Sequence, residues 1–125
     1  MTQYFMEKWE FREELPPIVT IEPNILRFEP EVARKLGLIA GSRVNLFFDR
    51  KRNLIGIRLK RGNDPAQPYI KTWKESWSIR ARRFFADYNI QVTYRKRFYC
   101  RWDSKEKMVI IDLQKAVPPG RREGA

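Results

Sequence analysis

The sequence predicts a mostly β fold with short helices, a barrel assembled from two tandem strand–helix–hairpin repeats. Residues 43–59 and 97–113 match without a gap at a constant offset of 54: Arg43, Asp49, Lys51, Ile57 and Leu59 return as Arg97, Asp103, Lys105, Ile111 and Leu113. Apolar positions return with them, in the pairs Val44/Phe98, Leu46/Cys100, Phe48/Trp102, Leu54/Met108 and Ile55/Val109. Upstream of each copy stand an extended segment and a short helical segment in the same order. One such unit leaves a hydrophobic sheet edge unpaired, and a second copy in the same chain supplies the missing partner.

Taken in order, residues 1–17 form an N-terminal amphipathic segment, in which Tyr4, Phe5, Met6, Trp9 and Phe11 alternate with acids. Pro16-Pro17 ends it, because a proline pushes its predecessor out of the helical region. The first repeat spans residues 18–61. Ile18–Glu22 is β-branched and alternating, Pro23-Asn24 is a turn, and Ile25–Phe28 resumes extended structure. Pro30 then suits a first helical turn, Val32, Ala33 and Leu36 make one face, and Gly37 supplies a left-handed stop. A hairpin follows, from Val44–Phe48 to Leu54–Leu59, closed by a loop whose ends, Asp49 and Asn53, are turn formers.

Residues 62–75, rich in Gly, Asn, Asp and Pro, read as a connector. The second repeat spans 76–115: Ser76–Arg80 extended, Arg82–Tyr88 helical, Asn89 in the place of Gly37, and the second hairpin. Residues 116–125 lack periodicity and read as a disordered tail.

A chain of 125 residues with eight Phe, five Tyr and four Trp is long and apolar enough for one core. No apolar run reaches the roughly 18–20 residues that span a bilayer, and the acids near the N-terminus exclude a signal peptide. Cys100 has no second cysteine to pair with, so a reducing cytoplasm is the simplest setting. Histidine is absent, which removes the commonest general base and the commonest transition-metal ligand. The expectation is a protein without enzymatic activity, cofactor or metal, with a carboxylate-only site as the weakest of the functional readings.

Charge is uneven. Residues 1–40 hold five basic and seven acidic residues, a balance of −2, while residues 41–125 hold 21 basic and eight acidic, a balance of +13. A surplus of that size attracts polyanions. The densest groups are Arg50-Lys51-Arg52, Arg58-Lys60-Arg61, Arg80-Arg82-Arg83, and Arg95-Lys96-Arg97 with Arg101. Arginine dominates them, and its planar fork suits bidentate contact with phosphate. The plainer alternative is that hairpin tips and edge strands carry cations to block aggregation. The candidate nucleic-acid contacts are Arg50, Lys51, Arg52, Arg80, Arg82, Arg83, Arg95, Lys96, Arg97 and Arg101, from groups that a barrel could merge into one stripe. Tyr69, Trp73, Trp77, Tyr94 and Tyr99 interleave with these groups. Aromatics so placed either stack bases or fill a core. Trp77 is assigned to the core and Trp73 is left open, while Asp49 and Asp103 read as turn residues.

The run from Phe28 through Leu36-Gly37-Leu38 to Gly41, and on to Asp49 at the hairpin, resembles the AbrB/MazE/SpoVT swapped-hairpin family. The resemblance covers about 40 residues well and the second copy more loosely. It implies a swapped-hairpin-type β-barrel, here closed within one chain, and a DNA-binding transcriptional regulator or an antitoxin. Two positions depart from the family pattern. Glu29 stands where the family has Pro, and Asn24-Ile25 stands where it often has a Gly-Arg pair. The arginines at a helix start are in the second copy instead, at Arg80, Arg82 and Arg83. The leading expectation is a cytoplasmic nucleic-acid-binding protein, monomeric or weakly dimeric, with DNA favoured. The alternative is a protein-interaction module of antitoxin or adaptor type that uses the acidic, aromatic N-terminal segment.

Overall fold

The computed structural model describes residues 16–118, so the N-terminal segment up to residue 15 and the tail from 119 lie outside the described residues. Eight strands and two six-residue helices follow one another as two ββαββ units. The first comprises β1 (Ile18–Glu22), β2 (Ile25–Phe28), α1 (Pro30–Lys35), β3 (Arg43–Asp49) and β4 (Leu54–Lys60). The second comprises β5 (Ile70–Trp73), β6 (Ser76–Arg80), α2 (Arg82–Asp87), β7 (Lys96–Asp103) and β8 (Met108–Ala116).

All strands belong to one antiparallel sheet in the order β3-β4-β8-β7-β1-β2-β6-β5, and the sheet curls into a nearly closed barrel. Each hairpin is local to its own unit, but each ladder joining one hairpin to the next crosses between units: β4 with β8, β7 with β1, and β2 with β6. The two halves are therefore interleaved and not side by side. At the β4–β8 joint Gly56 lies opposite Ile110, which is its own counterpart at the offset of 54, flanked by Ile55 opposite Ile111 and Ile57 opposite Val109. A residue that faces its own repeat-mate marks a local two-fold relation, so strand register and sequence repeat agree.

The ring closes at a seam between β3 and β5. Gly41 and Val44 donate to the carbonyls of Ile70 and Pro68, and Ile70 donates to that of Ser42, each at 2.9 Å. Beyond Ile70, β5 has no strand on its outer side among the described residues. The corresponding β1–β7 joint holds four paired positions, Ile18 with Tyr99 through Ile21 with Lys96. The two-fold relation is thus broken at the seam.

Strand alternation turns Val19, Ile21, Leu26, Phe28, Val44, Ile55, Ile57, Ile70, Ile79, Phe98, Cys100, Val109 and Ile111 into a single core, joined by Ala33 and Leu36 of α1 and Phe85 of α2. No charged or polar residue is buried with them among the described residues. Each fully buried Val, Leu, Ile or Phe contributes about 1.5–3 kcal/mol relative to exposure, which is why so small a barrel needs this many. Gly37 (φ 79°) and Asn89 (φ 53°) stop the two helices in the left-handed conformation expected of them.

Two boundaries differ from the sequence expectation. Ile70–Trp73, inside the expected connector, is strand β5, so the connector proper ends at Tyr69. The expected tail at 116–125 begins too early: β8 runs to Ala116, Val117 is buried, and its N–H donates to the Arg97 carbonyl at 2.9 Å. The β7–β8 register shifts between Phe98 and Cys100, so a bulge in β8 precedes this return.

The hairpin carboxylates act as turn residues. Asp49 accepts from the backbone N–H of Arg52 at 3.1 Å and from its Nε at 2.9 Å. Asp103 accepts from the N–H groups of Lys105 and Glu106 at 3.0 and 3.1 Å. Backbone donation, from Arg52 to one and chiefly from Glu106 to the other, holds both carboxyls below the usual carboxylate range. A lowered folded-state pKa stabilises the fold above the unfolded value and is lost as pH falls through the folded one. The melting temperature of the native chain should therefore drop between about pH 5 and pH 2, and an Asp49→Asn/Asp103→Asn variant should show a shallower drop. An unchanged acid limb would mean that neither turn contributes.

Candidate nucleic-acid interface

The cations divide by partner. Arg27 bonds Glu22 at 2.7 Å and Ser76 at 2.7 Å, Lys60 pairs with Asp64 at 3.0 Å, and Arg58 lies 3.6 Å from Glu106 and over the Phe47 ring. Arg43 donates to Asn63 Oδ1 and to the Gln67 carbonyl, and its guanidinium lies 5.0 Å from the centre of the Tyr69 ring. These are struts that tie strand to strand or loop to strand.

Of the predicted contacts, Arg52 is spent on Asp49 within its own turn, which fits the plain reading of that tip. Arg50 lies over the Tyr88 ring at 5.5 Å, so the β3–β4 tip reaches the end of α2. Lys51 is exposed on the same tip. Arg101 is exposed on the outer face of β7 opposite Ile110, and Arg97 lies opposite Thr20.

Arg80, Arg82, Arg83, Arg95 and Lys96 are exposed, and their side chains have no ion pair or hydrogen bond among the described residues. Strand pairing sets two of them around one turn. Lys96 pairs with Ile21 and Arg80 with Ile25, so the two flank the β1–β2 turn, and α2 begins two residues after Arg80. The Phe48, Phe84 and Tyr88 rings pack edge to face or tilted, with centroids 5.2–6.5 Å apart, and anchor α2 to the end of β3. The corresponding start of α1 carries Glu29, Pro30 and Glu31, so the basic face belongs to the second unit. Arg80, Arg82 and Arg83 stand at the start of α2, Arg95 and Lys96 at the start of β7, Arg50 on the β3–β4 tip that reaches Tyr88, and Arg101 further along β7.

Between α2 and the connector lies a cleft of about 620 Å³ at the seam, lined by Arg43, Tyr69, Lys71, Arg80, Arg83 and Tyr88 among others, with Asp87 its one carboxylate. Lys71 was outside the predicted set, because β5, which presents it, was read as connector, while Tyr69, one of the interleaved aromatics, stands just before that strand. A smaller groove of about 410 Å³ lies over Gly56, Met108 and Ile110, with cations and carboxylates mixed around it.

Trp77 packs partly buried against the core with Arg34 over its ring at 5.6 Å, whereas Trp73 is 68% exposed. Burial pushes the Cys100 thiol up to about 12, so it stays protonated and unreactive at neutral pH. Among the described residues no three His, Cys, Asp or Glu side chains are grouped to hold a metal, and no helix is long and apolar enough to cross a membrane. Comparison with protein-family models, curated proteins and solved structures gives no match for this chain.

Proposed function

We propose that the protein binds nucleic acid, with DNA favoured, and that it grips the phosphate backbone through Arg80, Arg82, Arg83, Arg95 and Lys96. One observation carries this reading. The chain neutralises or stacks cations that hold its loops, yet leaves Arg80, Arg82 and Arg83 at the start of α2, and Arg95 and Lys96 at the start of β7, exposed with no partner among the described residues. Like charges so close repel one another, and a polyanion relieves that repulsion while releasing its own counterions. The interleaving of the β1–β2 and β7–β8 hairpins supports placing the chain among swapped-hairpin proteins of the AbrB/MazE/SpoVT type, in a version where both halves share one chain. A role in transcription regulation goes with that placement. The basic face belongs to one unit only, so the protein engages its target asymmetrically and has no need of a palindrome.

The test is a salt series with duplex DNA, single-stranded DNA and RNA. Binding should weaken linearly in log K against log salt, with a slope of about −0.9 per phosphate neutralised on duplex DNA. Changing Arg80, Arg82 and Arg83 together to Ala should flatten that slope by up to about 2.7 and weaken binding uniformly across sequences. Absence of binding at low salt to all three probes sinks the proposal.

A further inference from the structure

The outer face of the β5–β6 hairpin carries a second kind of nucleic-acid chemistry. Alternation buries Ile70 and Ile79, which pair across the hairpin, and so turns Lys71 and Trp73 on β5 and Ser76, Ser78 and Arg80 on β6 outward. Continuing that register by one position sets Tyr69 opposite Arg80. Tyr69 and Trp73 are 45% and 68% exposed, large apolar areas to leave in water. Tyr69 immediately precedes β5 and Trp73 ends it, four residues apart in extended chain, about 13 Å at roughly 3.3 Å per residue, with Lys71 between them. That spacing seats two bases on separate rings.

The neighbouring side chains suit such a ligand. Ser76, opposite Trp73, and Ser78, opposite Lys71, are small, and Ser76 accepts from Arg27 at 2.7 Å. Arg43 is tied to Asn63 and Gln67 and lies over Tyr69, which holds that ring in place. Lys74 lies 5.8 Å from the centre of the Trp73 ring. Lys71, Arg80 and Arg83 line the adjoining cleft, against the single carboxylate of Asp87, with Glu75 in the turn beyond Trp73. The matching outward positions of β1 are Ile18, Thr20 and Glu22, with neither ring nor cation, so only the second unit has this arrangement.

We propose that this face is a stacking platform for single-stranded nucleic acid, one base on Tyr69 and another on Trp73, with the linking phosphates held by Lys71, Arg80 and Arg83. The proposal rests on the nucleic-acid reading above and sharpens it to unpaired strands. Stacking on aromatic rings tolerates any base, because every base has a π face. A duplex hides those faces.

The experiment compares a fluorescein-labelled eight-residue oligo-dT with a fully paired 20-base-pair duplex, using the full chain. Tyr69→Ala and Trp73→Ala should each weaken oligo-dT binding about tenfold, the range expected for one base–aromatic stack, with less than a twofold change on the duplex. Tyr69→Phe and Trp73→Phe keep a ring and should bind oligo-dT within about twofold of the native chain. They also separate loss of stacking from disturbance of the Arg43–Tyr69 contact. Bound oligo-dT should quench intrinsic tryptophan fluorescence, and Trp73→Phe should remove most of that quench while binding persists. Equal losses on oligo-dT and duplex, or no loss on either, overturn the platform and leave the phosphate-binding reading standing. Failure of the native chain to bind either probe at low salt overturns both.

Discussion

Severed within the connector near Gly62, the chain should give two pieces that are each unfolded alone and that fold together on mixing. Among the described residues the only ladders within either piece are two hairpins, β1–β2 with β3–β4 or β5–β6 with β7–β8. A two-stranded hairpin is marginal in water at best. The three ladders that join hairpin to hairpin all run between the pieces, and on their β8 side Ile55 and Ile57 find their partners, Ile111 and Val109, only in the other piece. Circular dichroism and urea titration should show no cooperative transition for either piece and a cooperative one for the equimolar mixture. A first piece that unfolds cooperatively as a monomer would contradict the interleaved topology.

Phe28→Ala should cost about 3–5 kcal/mol of unfolding free energy, a large share of the 5–15 kcal/mol typical of a domain. Phe28 is the largest fully buried side chain among the described residues at 1% exposure. It ends β2 opposite Trp77 of β6, so it serves the inter-unit ladder and the core beneath it. The short helix that follows cannot move inward far enough to refill the space, since Ala33 and Leu36 already bury its inner face. The urea midpoint should fall with an unchanged dependence on denaturant. A loss below about 1 kcal/mol, the scale of an average substitution, would place Phe28 outside the core that holds the halves together.

Much of this fold could be read from residue order alone, because its signals are local. The bounds of β1, β2 and β6 follow from alternation and punctuation, and both helix stops follow from residues that tolerate positive φ. Lys107 is an instructive extension: at φ 54° it adopts the left-handed turn conformation that its counterpart Asn53 adopts at 56°. The register of the repeat holds there although the residue is a poor turn former. Strand β5 escaped because its signal is not local. Only Ile70 of its four residues is buried, Pro65 and Pro68 stand just before it, and it owes its extended form to pairing with β6 and to the seam. The end of β8 was hidden by a bulge, which resets alternation partway along the strand.

The candidate interface divides the same way. Arg52 meets Asp49 three residues away, a pairing that sequence spacing can suggest. Arg58 meets Glu106 and Arg27 meets Ser76 across 48 and 49 residues, which only topology can bring about. The clusters were visible as composition, but which cations are already spent was not. Likewise Tyr69 and Arg80 become neighbours only once β5 exists.

Gly56 opposite Ile110 has a consequence for how such a barrel can evolve. A Cβ on Gly56 would meet Met108 Sδ at 2.5 Å and Phe47 Cβ at 3.4 Å, so the absent side chain is the space that the Met108 thioether occupies. In a barrel made of two identical chains, the position on the two-fold axis faces a copy of itself, and a small residue can only be met by the same small residue. Here small meets large. A fused pair of units escapes the requirement of self-complementarity, so its two halves are free to specialise, one as scaffold and the other as the charged, ring-bearing face.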